Sequence, residues 1–233
     1  MMIDDSVLDD PVGQSLGGPH AHLARRLGGA ATYCADVATF SAVPVQPGAR
    51  DWADLAALLG PGAFADMFSC PAGPPPSWEP VFSLAGRQLI RSGGPLPDRR
   101  GAEPDSDMVV LGKDDVPEML DLVARTEPGP FRSRTHELGT YLGVRGDGAL
   151  VAMAGERLRP PGWTEISAVC TAPEARGQGH ATRLVRALAA RILARGDRPF
   201  LHVAETNTAV IALYERLGFT TRKKVTFRGF RTP

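Results

Sequence analysis

The chain has 233 residues, enough to bury a core in one large domain or two small ones. Its 26 basic and 26 acidic side chains balance, so bulk charge gives no pull toward nucleic acid or an anionic membrane. Three widely spaced cysteines, Cys34, Cys70 and Cys170, form no CxxC pair or Cys/His cluster, which argues against a disulfide framework and a metal site.

The first residues, MMIDDSVLDDP, are acidic where a secretory signal is basic and then apolar. No uncharged apolar run reaches the ~20 residues of a membrane-spanning helix. A soluble, cytoplasmic protein without nucleic-acid or membrane partners is the expectation, and a homodimer is compatible with it.

Residues 1–91 read as a mixed α/β accessory region. HAHLARRLGGA and ARDWADLAALLG have helical spacing, the second ending at Gly60. GAFADMF and EPVFSLAGRQLIR read as strands. Residues 92–106, rich in Gly, Pro and charge, read as a linker.

Beyond the linker the order from Asp107 is β-α-β-β-β-α-β-α-β, with a short extra helix near Arg134. DMVVLG is a strand. The helix DDVPEMLDLVART starts at Asp115, and Glu118 three residues on has the spacing of a capping box. Gly146-Asp147-Gly148 predicts a hairpin turn between two strands. TEISAVCTA is the next strand, and a glycine-rich loop from Arg176 to His180 follows it.

That loop leads straight into a helix whose apolar residues Ala181, Leu184, Val185, Leu188, Ala189 and Ile192 share one face. Gly196 ends it and PFLHVAE follows as a strand. Asn207 opens a last helix that stops at Gly218, and RKKVTFRGF closes as a strand.

A helix N-terminus offers unpaired N–H groups and partial positive charge to an anion. Gly177 and Gly179 remove the Cβ atoms that would block approach, and Arg176 adds a charge. The loop therefore suits a phosphate or pyrophosphate. It lacks the Gly-Lys-Ser/Thr of a P-loop, and Thr182 stands where a dinucleotide fingerprint needs Gly or Ala.

At this point the sequence resembles the GNAT superfamily of acetyl-CoA-dependent N-acyltransferases. The family signature Q/R-x-x-G-x-G/A is matched by Arg176, Gly179 and Ala181, with Pro173 three residues ahead of the arginine. A second signature, an Asn opening a helix that ends in Leu-Tyr-Glu-x-x-Gly-Phe, is matched by Asn207 and by Leu213 to Phe219. The resemblance covers residues 107–233 and is greatest to the glycine N-acyltransferase-like branch. It implies a GNAT domain there, an α/β (α+β) fold with a mixed central sheet and helices on both faces. Residues 1–91 would be an accessory region, read as a degenerate partial GNAT unit.

The resemblance also implies roles. Val169, Cys170 and Thr171 would pair with the pantetheine arm of acetyl-CoA. Arg176, Gly177, Gln178, Gly179, His180 and Ala181 would cradle the pyrophosphate, with a hydroxyl from Thr182. Asn207 would face the cofactor arm, or else serve as a plain helix cap. Tyr214 would protonate the departing thiolate, and its phenol is also placed for core packing. Glu165, eleven residues before Arg176, would take the proton of the acceptor ammonium, or else stand solvated at a strand end. Cys170, His180 and His202 are read as structural side chains.

The expected activity is direct acetyl transfer from acetyl-CoA to a small-molecule or peptide amine in a ternary complex, without a metal. The alternative is a catalytically idle acyl-CoA sensor. The basic run TRKKVTFRGFR reads as an edge strand. The acceptor is expected near Pro128–Tyr141, the hairpin and the terminal strands, where no motif names it.

Overall fold

The computed structural model describes residues 4–91 and 107–233; the linker expected at 92–106 lies outside them. The chain begins with α1 (Pro11–Gly17), followed by β1 (Ala24–Leu27), β2 (Ala30–Tyr33) and β3 (Ser41–Ala42), which form a small antiparallel sheet. HAHLARRLGGA is thus not a helix. After one 3-10 turn, Ala21–Leu23, it enters β1, because Gly28-Gly29 makes the two-residue turn of a hairpin pairing Leu27 with Ala30. The second predicted helix is α2 (Ala49–Leu59), ending at Gly60.

β4 (Phe64–Asp66) and the 13-residue β5 (Glu79–Arg91) come next. Then follow β6 (Met108–Leu111), α3 (Val116–Thr126), β7 (Tyr141–Gly146) and β8 (Ala149–Glu156). After these come β9 (Trp163–Thr171), α4 (His180–Ala194), β10 (Arg198–Ala204), α5 (Thr208–Arg216) and β11 (Phe219–Arg231). This is the order read from the sequence, with the extra turn near Arg134 present as a 3-10 helix, Thr135–Leu138.

Eight strands form one sheet in the order β4-β11-β5-β10-β9-β8-β7-β6. Only β9 and β10 run parallel; the other neighbours are antiparallel. β5, grouped by sequence with the accessory region, lies between β10 and β11 in the interior of the sheet. β11 is covered by β5 along its length and by β4 only at Gly229–Arg231. Its basic run is largely neutralised: Arg222 pairs with Asp5 and Asp9, Lys223 with Asp9, and Lys224 with Glu205.

Helices cover both faces, because successive strand residues point to opposite sides. Ala152 and Ala154 of β8 pack in the cluster of α4 and α5, with Leu184, Val185, Leu188, Ala189 and Ile192 all fully buried. Met153, between them, packs toward α3 with Met119 and Leu122. The hairpin turn falls on Asp147 and Gly148, both at positive φ.

The expected capping box of α3 does not form. Asp115 accepts from the Gly112 amide and pairs with Arg145, while Glu118 pairs with Arg145 and accepts from the Leu150 amide. These carboxylates fasten α3 to the β7–β8 hairpin. Among the described residues no helix is long and apolar enough to cross a membrane.

Candidate functional site

The parallel pairing of β9 and β10 is short. Its register runs from Trp163 opposite Arg198 to Glu165 opposite Phe200 and then stops. Past that point β10 pairs with β5 on its other side, while β9 keeps only β8. β9 also bulges: its register with β8 shifts between Met153 and Gly155, and Ala168 takes φ +51°, rare for a residue with a Cβ. The two strands thus open a cleft with an edge of backbone N–H and C=O groups along Ile166–Thr171 that pairs with no strand, its Thr171 carbonyl accepting from Arg176 Nε at 3.4 Å.

A cavity of about 730 Å³ fills this cleft, a volume typical of small-molecule sites. One end is lined by Val169, Cys170, Thr171, Arg176, Asn207 and Tyr214, six residues singled out in the sequence and brought together here. Gly177, Gln178 and Gly179 continue from Arg176 as an exposed turn into α4. Gly177 (φ +82°) and Gly179 (φ +77°) occupy the left-handed region, and a Cβ built on either would meet nothing within 4 Å. Their backbone N–H groups and that of Gln178 reach no described carbonyl. With the first N–H groups of α4, at His180, Ala181 and Thr182, they form an open cradle for an anion.

Asn207 sits at the start of α5, but its side chain makes no capping hydrogen bond and instead lines the cavity. Tyr214 is 6% exposed and packs edge-on against Phe219. Burial pushes its phenol up to about 12, so it stays protonated over the physiological range. Cys170 is buried, and desolvation raises its thiol, which disfavours a nucleophilic role. The His180 ring is also mostly buried, against Gln178.

Glu165 is not a solvated strand-end carboxylate, nor does it line the cavity. It is fully buried, with Arg157 donating from Nε at 2.8 Å and Nη2 at 2.6 Å, and His202 Nδ1 at 2.6 Å from Oε1. Burial opposes the charge, but Arg157 and His202 together hold the carboxyl down at about 2. With both oxygens engaged and so low a proton affinity, Glu165 is poorly suited to take a proton from an ammonium directly.

The other end of the cavity was foreseen only in part, through the terminal strand that carries Phe227. Its walls are Phe40, Asp66 and Phe68 from the N-terminal region, Phe82 and Leu84 of β5, and Arg157, His202 and Phe227. Pro128, Gly129 and Pro130, from the segment expected to shape the acceptor site, line the same cavity. Phe68 stacks on Phe227 at 4.6 Å with the rings 2° from parallel. The Arg157 guanidinium lies over Phe68 at 4.6 Å and Phe40 at 5.1 Å. Gly86 makes room for Phe227, since a Cβ there would lie 2.4 Å from the ring.

His202, taken from the sequence as structural, lines the cavity with its ring held between Glu165 and the Gln88 amide, whose Nε2 donates to its Nε2 at 3.1 Å. Burial lowers its pKa and keeps the imidazole neutral. Parallel pairing sets Phe200 beside Glu165, which brings His202 within reach of its carboxylate. Among the described residues no group of His, Cys, Asp and Glu could hold a metal.

Comparison with known proteins agrees with this geometry. The family model described as FR47-like protein matches residues 141–228. The N-alpha-acetyltransferase RimI of Mycobacterium tuberculosis (strain ATCC 25618 / H37Rv) is 36% identical over 100 residues, 40% of this chain and 62% of that protein. The chain thus spans less than two thirds of that curated relative. A crystal structure of a putative acetyltransferase from the GNAT family of Novosphingobium aromaticivorans DSM 12444 is 41% identical. That match covers 98% of this chain and all of that one, with a TM-score of 0.87. A GCN5-related N-acetyltransferase from Kribbella flavida, 15% identical over 100% of this chain and 97% of that one, shares the fold with a TM-score of 0.63.

Proposed function

This chain belongs to the GNAT family of N-acetyltransferases, and from that premise we propose that the β9–β10 cleft carries direct acetyl transfer from acetyl-CoA to an amine. The observation that carries the reading is the continuity of one cavity from Arg176, where the exposed glycine turn begins, along the edge of β9 at Val169–Thr171, to Tyr214. Bound acetyl-CoA supplies an activated acetyl thioester.

The residues of the chain do the rest. N–H groups of Gly177 through Thr182 and the Arg176 guanidinium receive the pyrophosphate. The edge of β9 at Val169–Thr171 takes the amide groups of the pantetheine arm, as an added strand would. Asn207 faces the same arm. Tyr214 holds its proton against solvent and delivers it to the departing sulfur as the new nitrogen–carbon bond forms and the carbon–sulfur bond breaks; of the two protons the acceptor ammonium sheds, one goes to solvent before attack and the other restores Tyr214. Glu165 acts as a positioning residue. It fixes the His202 ring, with the proton on Nδ1, and cancels the Arg157 charge in the cavity wall.

Residues 4–91 are proposed as part of the catalytic unit, because β5 and the side chains of Phe40, Asp66 and Phe68 complete the cavity. The Asp66 carboxylate in the cavity wall opposes a carboxylate-bearing acceptor such as glycine, which argues against the glycine N-acyltransferase-like branch of the family. The three free thiols suit the reducing cytoplasm expected from the sequence.

The test is calorimetry of acetyl-CoA binding together with thiol release in the presence of amines. Micromolar binding with amine-dependent release is the expected result. Binding without release for any amine would leave an idle acyl-CoA-binding protein.

A further inference from the structure

We infer that the acceptor end of the cavity takes a primary amine borne on an apolar, ring-bearing body, with Asp66 receiving its ammonium group. This rests on the acetyl-transfer reading of the same cleft and names its acceptor.

The argument is one of charge and shape. Arg157, His202 and Asp66 line that end, and the exposed carboxylate of Glu127, beside Pro128, lines the cavity as well. The Arg157 charge is cancelled by its two hydrogen bonds to Glu165, and the His202 ring is neutral and tied to the same carboxylate. Asp66 is left without a cation of the described residues at ion-pair distance; its side-chain partner is the Thr39 hydroxyl, which donates to Oδ2 at 2.6 Å. It is 5% exposed. A carboxylate so nearly buried is costly unless a cation or further hydrogen bonds compensate it. An acceptor ammonium supplies both, and gives one proton to solvent before its nitrogen attacks.

The surroundings select the rest of the molecule. Phe68 and Phe227 present a flat stacked pair, and Phe82 and Leu84 carry the apolar wall outward to the mouth, where each remains 41% exposed. Alternation along β4 puts Phe64 and Asp66 on this same face, while Ala65 packs away into the core beneath α2. An ammonium at Asp66 with a ring or alkyl chain running outward would cover this surface and set its charge beside aromatic faces. An acceptor carboxylate would meet Asp66 with like charge, which disfavours free amino acids.

The test pairs binding with turnover. Calorimetry of 2-phenylethylamine with the protein alone is run beside thiol release with n-alkylamines, 2-phenylethylamine, ethanolamine, glycine and a hexapeptide with N-terminal alanine. The expected kcat/KM rises about fourfold per added methylene and is about 10- to 100-fold higher for 2-phenylethylamine than for ethanolamine. Asp66→Asn should weaken 2-phenylethylamine by about 30-fold or more while acetyl-CoA affinity holds. Leu84→Gln, at an exposed position that leaves the fold intact, should erode the preference for apolar over hydrophilic amines.

Preference for ethanolamine, glycine or the hexapeptide would overturn the inference, as would Asp66→Asn with unchanged amine binding. Failure of acetyl-CoA to bind, with 2-phenylethylamine still held through Asp66, would overturn the acetyl-transfer reading instead.

Discussion

Oε1 of Glu165 lies 2.6 Å from Nδ1 of His202 on the neighbouring strand, and also accepts from Arg157 Nη2 at 2.6 Å. One fully buried carboxylate therefore holds two side chains that line the cavity, without lining it itself.

Stability should report this arrangement. The Glu165 carboxyl is depressed from 4.5 to about 2 in the folded chain, so its contribution is fully present above about pH 4.5 and lost as pH falls toward 2. The shift corresponds to about 3 kcal/mol. Glu165→Gln leaves Arg157 buried without a counter-charge and is expected to cost about 3–5 kcal/mol at neutral pH. Urea unfolding of both proteins across pH should show the gap between them narrowing below pH 4.5. A gap that does not depend on pH would remove the ion pair as its cause.

The same variant separates positioning from proton transfer. Glu165 that only positions His202 and Arg157 gives a turnover loss of equal size at every pH. Recovery of Glu165→Gln turnover with rising pH, as free amine becomes available without enzymatic help, would make Glu165 part of the proton path.

Tyr214→Phe removes one hydroxyl, and no hydrogen bond from a described residue holds it, so packing against Phe219 should survive. Turnover is expected to fall by about 10²–10⁴-fold with acetyl-CoA affinity unchanged. Near-normal turnover in a chemistry-limited assay would leave Tyr214 a packing residue alone.

Much of this was legible beforehand, and the gaps have physical causes. The α4 face was readable because Leu184, Val185, Leu188 and Ile192 recur at helical spacing. The exposed turn into α4 was readable because Gly177 and Gly179 take a backbone conformation that few other residues adopt. The partners of Glu165 were not, since Arg157 lies 8 residues away and His202 lies 37, joined only by strand pairing. The end of the cavity walled by Asp66, Phe68 and Phe227 was less legible still. Phe68 meets Phe227 and Asp66 pairs with Gly229, each across more than 150 residues, because β4 and β5 enter a sheet whose other strands come after residue 107. Local spacing carries no record of such pairing. The segment HAHLARRLGGA failed for a different reason: its apolar spacing suits a helix, but the Gly28-Gly29 turn and the buried partner strand Ala30–Tyr33 decide for a hairpin.

Gly179 carries the prediction for the anion cradle. At φ +77° a β-branched residue is strained by about 1–3 kcal/mol whatever the space around it. Gly179→Val is therefore expected to move the turn out of the left-handed region and turn its N–H groups away from an incoming phosphate. Because the turn is exposed and α4 is held by its buried face, the fold should persist. Calorimetry should show acetyl-CoA affinity lost, with the far-ultraviolet circular dichroism of the wild type retained. Unchanged affinity in a folded Gly179→Val protein would show that the phosphate lies elsewhere.

The last prediction concerns Gly86, far in sequence from every motif. Its missing side chain lets Phe227 lie flat against β5, where a Cβ would come within 2.4 Å of two ring carbons and 3.1 Å of the Val203 carbonyl. The backbone carbonyl on β10 cannot give way, so the ring must. Gly86→Ala is expected to cost about 1–3 kcal/mol through overpacking. The displaced ring also breaks the parallel stack with Phe68, which forms one wall of the cavity at the end proposed for the acceptor. Amine KM should therefore rise while acetyl-CoA affinity, set at the other end of the cavity, stays put. Equal losses in both substrates would mean that the two ends do not respond separately, and Phe227 would lose its place as an acceptor-side wall.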